Sequence, residues 1–455
     1  MNGRLAALLA AGISICILAA CGGNIKNDTI PEAASREKEP LAEDAPFPEE
    51  SLFASEDDFS EEDRLQQEFS SGPKGNVSEE DRPQQEPSSV HEDDIREGNR
   101  PQQGGEMPES ARELPEEPPA LYITISVAGD VTLGNYFEQG YWGSFRETYA
   151  KEKDPAYFFE NVYGIFSEDD MTIVNLEGPL TYAQERREGQ VYSMSGDPEY
   201  VDVLTAGSVE AVGMGNNHRL DYLEKGSSDT VTALEGAGIP YAYDKYTGIY
   251  ETQGIRIGFI SVNEVGQGAG VEKYIREGIE SLREEGCQLI LASCHWGAER
   301  EHYPEDYQKS LGRKCIDWGV DMVIGHHPHV IQGIEEYQGK YIIYSLGNFC
   351  FGANRNPPDK DCLIVQQTFA FVDGERQEDT ILKVIPCSVS SITERNDYKP
   401  TPAEGAEAQR ILDRLNEYSK DFGLQFDEDG HPVKQPLEEE YDLYTQAMDN
   451  YIPNA

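Results

Sequence analysis

From residue 121 onward, the chain alternates short apolar runs rich in β-branched residues with longer amphipathic stretches. Amphipathic stretches such as 304–318 predict helices between the apolar runs. Alternation of this kind predicts an α/β fold built around a buried sheet. The predicted strands are 121–127, 171–174, 209–214, 255–262, 289–294, 322–324 and 341–346.

The late part of the chain departs from this alternation. The apolar runs 362–371 and 380–385 flank the turn dipeptide Asp373-Gly374, which predicts a hairpin. A hairpin there makes the sheet mixed rather than purely parallel. The stretches 403–422 and 437–448 are typical of acidic surface helices that pack on the domain or cover it.

The first residues are typical of an export signal. An unbroken run of apolar or small residues, 5–20, follows Arg4 and is too short to span a bilayer as a mature helix. It ends in Leu-Ala-Ala before Cys21, which predicts cleavage there and lipidation of the cysteine thiol. An ordinary cleaved signal with an incidental cysteine is the alternative. Lipidated Cys21 would anchor the protein to the cytoplasmic membrane on its extracellular face.

Residues 22–120 hold 28 acidic and 9 basic residues and only four aromatic ones. So little apolar surface cannot offset the entropy of the chain, so the sequence predicts a disordered linker. The pentapeptide at 60–64 recurs at 78–82, which indicates a duplicated, solvated repeat. The predicted segments are a lipoprotein signal peptide 1–21, an acidic repeat linker 22–120, a folded domain 121–395 and a helical extension 396–455.

The net charge of the chain limits the kinds of ligand that it can bind. The 455 residues carry 37 Lys and Arg against 85 Asp and Glu, a formal net charge of -48. That balance argues against nucleic-acid binding, which needs clustered basic residues. It also opposes binding of any polyanion, although a bound divalent cation reverses the sign locally. Binding of an anionic substrate would therefore depend on metal.

Polar motifs follow directly after the predicted strands, and five of the eight histidines lie in them. The carboxyl ends of strands in an open α/β sheet meet along one crevice, so these side chains are expected to gather there. A single histidine in such a place is more often structural. Imidazoles gathered with carboxylate and amide oxygens predict a site for divalent metals. The histidines are His218, His295, His326, His327 and His329.

Six of these motifs, in order, resemble the motif series of the CapA family. That family is associated with poly-γ-glutamate capsule synthesis and is similar in turn to calcineurin-like metallophosphoesterases. The resemblance covers about residues 121–390. The motifs are GDV at 129–131, NLEGPL at 175–180, NNH at 216–218 with Asp221, HWG at 295–297 with Glu299, GHHPHV at 325–330 and YSLGNF at 344–349.

The resemblance implies an α/β fold, namely a metallophosphoesterase-like α/β/β/α sandwich with mixed sheets. It also implies one or two divalent metal ions, which could be Mn, Zn, Fe or Mg. His218 is the implied catalytic histidine. We expect Asp221 to be its partner, with a carboxylate at a helix N-terminus as the alternative. We expect substrate contacts from His326, Glu299, Arg300 and Asn348. The alternatives are a role in supporting the metal ligands for His326, a solvated loop for Glu299 and Arg300, and a chain turn for Asn348. The implied metal ligands are Asp130, Glu177, Asn217, His295, His327 and His329.

Two departures from the phosphoesterase pattern affect the expected site. Thr132 stands where that pattern has a histidine, and Glu177 stands where it has a bridging aspartate. We therefore expect one firm and one weaker metal position. The weaker would have Asp130, Glu177 and His329, and the firm one Glu177, Asn217, His295 and His327.

The expected function is that of a membrane-anchored extracellular protein in capsule polymer synthesis, acting by metal-dependent hydrolysis or transfer. Its partners would be capsule synthase or export proteins, and its substrate an anionic polymer or a phosphoester. Two alternatives stay open. One is a non-catalytic binding or scaffold component of capsule assembly, and the other is a metal-dependent phosphodiesterase unrelated to capsule.

Overall fold

The structure, a computed structural model, describes residues 120–434. The predicted signal peptide, the lipidation site Cys21, the linker up to residue 119 and the stretch 437–448 lie outside the described residues. Within residues 120–434, every helix is too short or too polar to cross a membrane.

Strands supply most of the framework. They are β1 (Leu121–Thr132), β2 (Asn135–Tyr136), β3 (Met171–Leu176), β4 (Met194–Ser195), β5 (Ala211–Gly213), β6 (Tyr241–Ala242), β7 (Gly248–Thr252), β8 (Ile255–Asn263), β9 (Leu289–His295), β10 (Met322–His326), β11 (Ile334–Tyr337), β12 (Lys340–Ile343), β13 (Asn348–Phe351), β14 (Asp361–Val372), β15 (Glu375–Ser388), β16 (Thr401–Pro402), β17 (Leu424–Phe426) and β18 (Pro432–Lys434).

Helices lie between many of these strands. They are α1 (Phe145–Glu152), α2 (Tyr163–Phe166), α3 (Val201–Ala206), α4 (Leu223–Ala237), α5 (Glu264–Gln267), α6 (Val271–Glu284), α7 (Asp306–Asp317) and α8 (Gly405–Ser419). Short 3-10 helices cover Phe137–Gln139, Pro155–Phe159, Pro198–Tyr200, Gly268–Gly270 and Lys420–Phe422.

Two sheets of mixed direction form the centre of the domain. The first has the order β16-β15-β14-β1-β3-β5-β6, and β13 also pairs with the end of β1. In it β1 runs parallel to β3 and antiparallel to β14. The second has the order β11-β12-β10-β9-β8-β7, in which β8, β9, β10 and β12 run parallel.

Strands β3, β9 and β10 bury both of their faces, which explains why they read as continuous apolar runs rather than alternating ones. In β1, Ile123 and Ile125 point into a core shared with the second sheet, and Ala128 points to a core shared with α1, α3 and α4. In β9, Leu289 joins the shared core, whereas Ile290 packs with α6 and α7. The layers are therefore helix, sheet, sheet, helix, and the predicted α/β/β/α sandwich with mixed sheets is confirmed.

The predicted hairpin is confirmed as well. β14 and β15 pair antiparallel, and Val372 pairs with Glu375 across the turn. Both turn residues have positive φ, 53° at Asp373 and 79° at Gly374, as a two-residue hairpin of matching twist requires.

Helix α8 packs into the domain. Ile411, Leu412 and Leu415 are buried in the core between the two sheets, and the preceding strand β16 pairs with β15. The described part of the predicted extension 396–455 is thus a packing element of the same core. The boundary between the two predicted segments stays a prediction.

Leu415→Ala is expected to lower the free energy of unfolding by about 2–5 kcal/mol, because it deletes a fully buried side chain and leaves a cavity. Asp413→Ala, an exposed position on the same helix, should change it by no more than about 0.5 kcal/mol. Chemical denaturation of both variants measures the difference. Equal effects would show that α8 does not support the core.

Candidate metal centre

Strand register brings the polar strand ends together. At the end of β1, Asp130 pairs with Asn175 of β3 on one side and with Asn348 of β13 on the other. In the second sheet, His326 at the end of β10 pairs with His295 at the end of β9. Side chains far apart in sequence are therefore neighbours along one edge of the sandwich.

Asp130 is fully buried and lies at the centre of a hydrogen-bond network. Its Oδ1 accepts a 2.9 Å bond from Asn175 Nδ2 and lies 3.2 Å from His326 Nδ1. Its Oδ2 lies 3.1 Å from His329 Nδ1 and accepts a 3.3 Å bond from the backbone N–H of His327. Burial alone would raise the pKa of Asp130, but the bonds from His326 and His329 hold it well below its usual value. Asp130 is therefore a carboxylate, as a metal ligand must be.

The orientation of His329 is set by its neighbours. Its Nδ1 lies 2.9 Å from Asn348 Oδ1, while Asn348 Nδ2 donates to the carbonyl of His329 at 3.2 Å. Both oxygens that face Nδ1 can only accept, so Nδ1 carries a hydrogen. This leaves Nε2, 3.7 Å from Glu177 Oε1, as the nitrogen available to a cation.

Glu177 is 1% exposed, and neither of its carboxylate oxygens has a hydrogen-bond partner among the described residues. The nearest basic nitrogens are those of His329 at 3.7 Å and His218 at 3.8 Å, both beyond hydrogen-bond distance. Burial raises the pKa of Glu177 to about 7. A buried carboxylate without donors is costly, and a bound divalent cation would satisfy both oxygens. The donor set thus fits a metal.

The histidines divide into charged and neutral ones. Burial opposes a charge on His329, but the charge of Glu177 and the bond to Asp130 outweigh burial and raise its pKa to about 10. Burial and the charge of His329 lower the pKa of His327 to about 4, and burial holds that of His295 well below its usual value. His295 and His327 are therefore neutral, which is the form of histidine that binds metal. His329 is protonated and lies close to the carboxylates of Asp130 and Glu177.

The turn that carries His327 and His329 is strained. Their φ angles are 95° and 57°, a region that non-glycine residues rarely occupy. The backbone N–H of Arg300, itself at φ 66°, donates to the carbonyl of Pro328 at 2.8 Å. Strain of this kind persists where surrounding contacts fix it, so the two imidazoles are held in place before any ligand binds.

Two groups of side chains could each hold a cation. In each, one ligand atom per residue lies within 4.8 Å of the others: Asp130, Glu177 and His329 form one group, and Glu299, His327 and His329 form the other. The first is the set expected to form the weaker position. The set expected to be firm is not assembled in the same way: His295 Nε2 lies 2.9 Å from Asn217 Oδ1, and its ring lies 4.7 Å from that of His327.

His218 and Asp221 form a buried pair beside Glu177. His218 Nδ1 donates to Asp221 Oδ2 at 2.7 Å, and the same oxygen accepts from the backbone N–H of Met194 at 2.7 Å. The opposite nitrogen, Nε2, faces Glu177. Burial opposes protonation of His218, but the bond to Asp221 and the charge of Glu177 raise its pKa. The pair can therefore hold a proton at Nε2, next to the metal ligands.

The residues expected to contact substrate occupy two different environments. His326 and Asn348 are buried and contact Asp130 and His329, which fits a role in orienting those ligands. Glu299 and Arg300 are exposed on the loop after β9. Arg300 is tied to the histidine turn through its backbone, and Glu299 lies next to the histidines themselves.

Sequence reasoning missed two residues of the site. Asn175 donates to Asp130 and lies 3.5 Å from His295 Nδ1, and its place at the end of β3, in register with Asp130, was an available signal. The ring of Phe351 lies 5.1 Å from that of His329 and packs with Met194 and Ala353. No sequence pattern marks that contact.

Comparison with known proteins gives concordant results. The sequence model of the family described as "Bacterial capsule synthesis protein PGA_cap" matches residues 124–353. The PGA biosynthesis protein CapA of Bacillus subtilis (strain 168) is 29% identical over 249 residues, 50% of this chain and 63% of that protein. The capsule biosynthesis protein CapA of Bacillus anthracis is 24% identical over 271 residues, 54% of this chain and 63% of that protein.

A further relative is a probable polyglutamine synthesis accessory protein of Mycobacterium tuberculosis. It is 25% identical over 208 residues, 39% of this chain and 55% of that protein. The chain thus spans somewhat less than two thirds of the length of each of these relatives. The region that the family model matches, residues 124–353, contains every one of the site residues described above.

Proposed function

The chain belongs to the PGA_cap family of bacterial capsule synthesis proteins, and from that premise we propose that it acts in capsule polymer synthesis as a metal-dependent hydrolase or transferase. Poly-γ-glutamate is the polymer we propose, because the relative from Bacillus subtilis is a PGA biosynthesis protein. One observation carries the catalytic part of the proposal. The buried carboxylate of Glu177, which has no hydrogen-bond donor among residues 120–434, lies among the side chains of Asp130, His218 and His329.

Asp130, Glu177 and His329 would hold one divalent cation, with His295, His327 and Asn217 close by for a second. Such cations supply Lewis acidity toward a phosphoryl or carbonyl oxygen. They also offset the negative charge that otherwise repels an anionic polymer. Manganese, zinc, iron and magnesium all accept this mixture of imidazole and carboxylate ligands.

The chain's own residues would manage the proton. His218 holds a proton at Nε2, on the side that faces Glu177, and would deliver it to the leaving group. Asp221 fixes the ring by its bond to Nδ1 and favours the protonated form. The apolar cluster of Met194, Phe351 and Ala353 beside His329 reduces the access of water, which strengthens each charge interaction in the site.

Location and partners complete the proposal. Lipidated Cys21 would hold the protein on the extracellular face of the cytoplasmic membrane, and the acidic linker would keep the domain away from that surface. A place outside the cell is where a capsule polymer emerges. Capsule synthase or export proteins are therefore the partners we propose.

Metal analysis of the purified full-length chain tests this function. We expect bound divalent metal, or a gain in thermal stability on adding Mn²⁺ or Zn²⁺ to the chelated protein, because metal binds the folded state. Cleavage or transfer of poly-γ-glutamate should stop on chelation and return with metal. A chelated protein that neither binds added metal nor changes in stability would contradict the proposal.

The substrate preference separates the alternatives. Metal-dependent cleavage of a generic phosphodiester, with no action on glutamyl polymers, would favour a phosphodiesterase unrelated to capsule. A scaffold role predicts that metal binds without turnover on either substrate. It also predicts that capsule formation survives replacement of His218 in the cell.

A further inference from the structure

We propose that Glu299 is a metal ligand, holding a second divalent cation together with His327 and beside the position formed by Asp130 and Glu177. This rests on the metal dependence of the proposed function and goes beyond it, because it adds a carboxylate from the loop after β9 to the ligands. The expectation from sequence was that Glu299 contacts substrate or lies in a solvated loop.

The geometry supports a ligand role. Single ligand atoms of Glu299, His327 and His329 all lie within 4.8 Å of one another. Two ligands of one cation lie roughly 3 to 4.4 Å apart, because each metal–ligand bond is about 2.0–2.2 Å long. The 4.8 Å limit is therefore close to the spacing of two ligands of one cation. Glu299 is exposed. Among the described residues, no Lys or Arg side chain forms an ion pair with it.

His327 provides a second, independent observation. It is 5% exposed, and its Nδ1 has no hydrogen-bond partner among residues 120–434. A buried imidazole nitrogen without a partner is rare unless water or a ligand satisfies it. The neighbouring ring of His295, 4.7 Å away, already bonds Asn217 through Nε2. A cation bound to Nδ1 of His327 and shared with Glu299 would satisfy that nitrogen.

Both candidate cation groups contain His329, and this determines which of the two cations binds more tightly. Because Asn348 and Asp130 engage Nδ1, His329 offers a single nitrogen, Nε2, and one nitrogen binds one cation. The buried carboxylate of Glu177 lies on that side, 3.7 Å from Nε2, so the cation that it shares with Asp130 takes Nε2. The second cation then depends on His327 and the exposed Glu299, with His295 and Asn217 close by. Its carboxylate is exposed rather than buried, so it is held less tightly and keeps open positions for substrate oxygens. This order of strength is the reverse of the one expected from the sequence.

Titration of Mn²⁺ into the chelated full-length chain, followed by calorimetry and by metal count after dialysis, tests the assignment. The wild-type protein should bind two Mn²⁺, one tightly and one weakly. In Glu299→Gln the affinity of the weak step for Mn²⁺ should fall by on the order of 100-fold or more. A loss of that size exceeds the loss expected when a residue that only orients a ligand is replaced. The tight step should stay within about threefold.

Glu301→Gln is the matched control, because it removes the same charge from an exposed side chain two residues further along the same loop. It should bind two Mn²⁺ as the wild-type protein does. An unchanged weak step in Glu299→Gln, an equal loss in Glu301→Gln, or a single Mn²⁺ site in all three proteins would overturn the role of Glu299 while leaving the proposed function intact. No Mn²⁺ binding by the wild-type protein would overturn both.

Discussion

His329→Ala is expected to abolish tight divalent-metal binding and metal-dependent turnover together. His329 belongs to both candidate cation groups, and its Nε2 is the imidazole nitrogen nearest to Glu177. Asn348 and Asp130 hold the ring so that this nitrogen faces the carboxylate of Glu177. Removing a ligand held in this way should lower metal affinity by on the order of 100-fold or more. Calorimetric titration and activity against poly-γ-glutamate measure both effects.

The same variant should change how the stability of the metal-free protein depends on pH. The folded-state pKa of His329 is about 10, against an ordinary value of 6.5. A raised pKa of this kind stabilises the folded state fully below about pH 6.5, and that contribution is lost as pH rises through 10. Wild type and His329→Ala should therefore differ by about 3–5 kcal/mol at pH 6, the usual cost of breaking a buried ion pair, and this difference should become smaller as pH rises through 10.

Metal affinity should depend on pH in the opposite direction from the contribution of His329 to stability. Binding requires that His329 and Glu177 lose their protons, so metal affinity should increase between pH 6 and pH 9. His431→Ala is a suitable control, because His431 bonds the carbonyl of Leu382 and lies outside both groups. Metal binding retained in His329→Ala, or lost equally in His431→Ala, would contradict the assignment.

His218→Gln is expected to lose turnover by about 10²–10⁴-fold while keeping its metal. The residue lies in neither candidate cation group, and Nε2 is 3.8 Å from Glu177, so its loss removes a proton donor rather than a ligand. Metal content and kcat measured on the same sample separate these roles. Loss of metal in step with activity would show instead that His218 acts as a ligand.

Asp221→Asn extends this test to the positioning of His218. Asp221 raises the pKa of His218 by its bond and charge, although burial opposes it, so the amide should lower that pKa. If His218 works in its protonated form, activity falls as pH rises through its pKa, and this limb should move to lower pH in Asp221→Asn. NMR titration of the ring gives the pKa directly. If activity of Asp221→Asn falls at the same pH as that of the wild-type protein, another group donates the proton.

Much of the framework could be predicted from the sequence because it depends on local patterns. Apolar runs broken by Gly-Asp, Asn or His define strands and place the polar groups at their carboxyl ends. The dipeptide Asp373-Gly374 adopts the two positive φ angles of a tight hairpin, since both residue types tolerate them. Motif order then identifies the family, because six weak motifs in sequence are jointly specific.

The composition of the metal site is determined differently. Local patterns along the chain show which strands end in ligand-type residues and that a divalent metal suits them. They do not show that Glu299 lies with His327 and His329, that Asn175 bonds Asp130, or that Glu177 is buried with no donor among the described residues. These contacts depend on strand register and on the packing of two sheets, which no local pattern encodes.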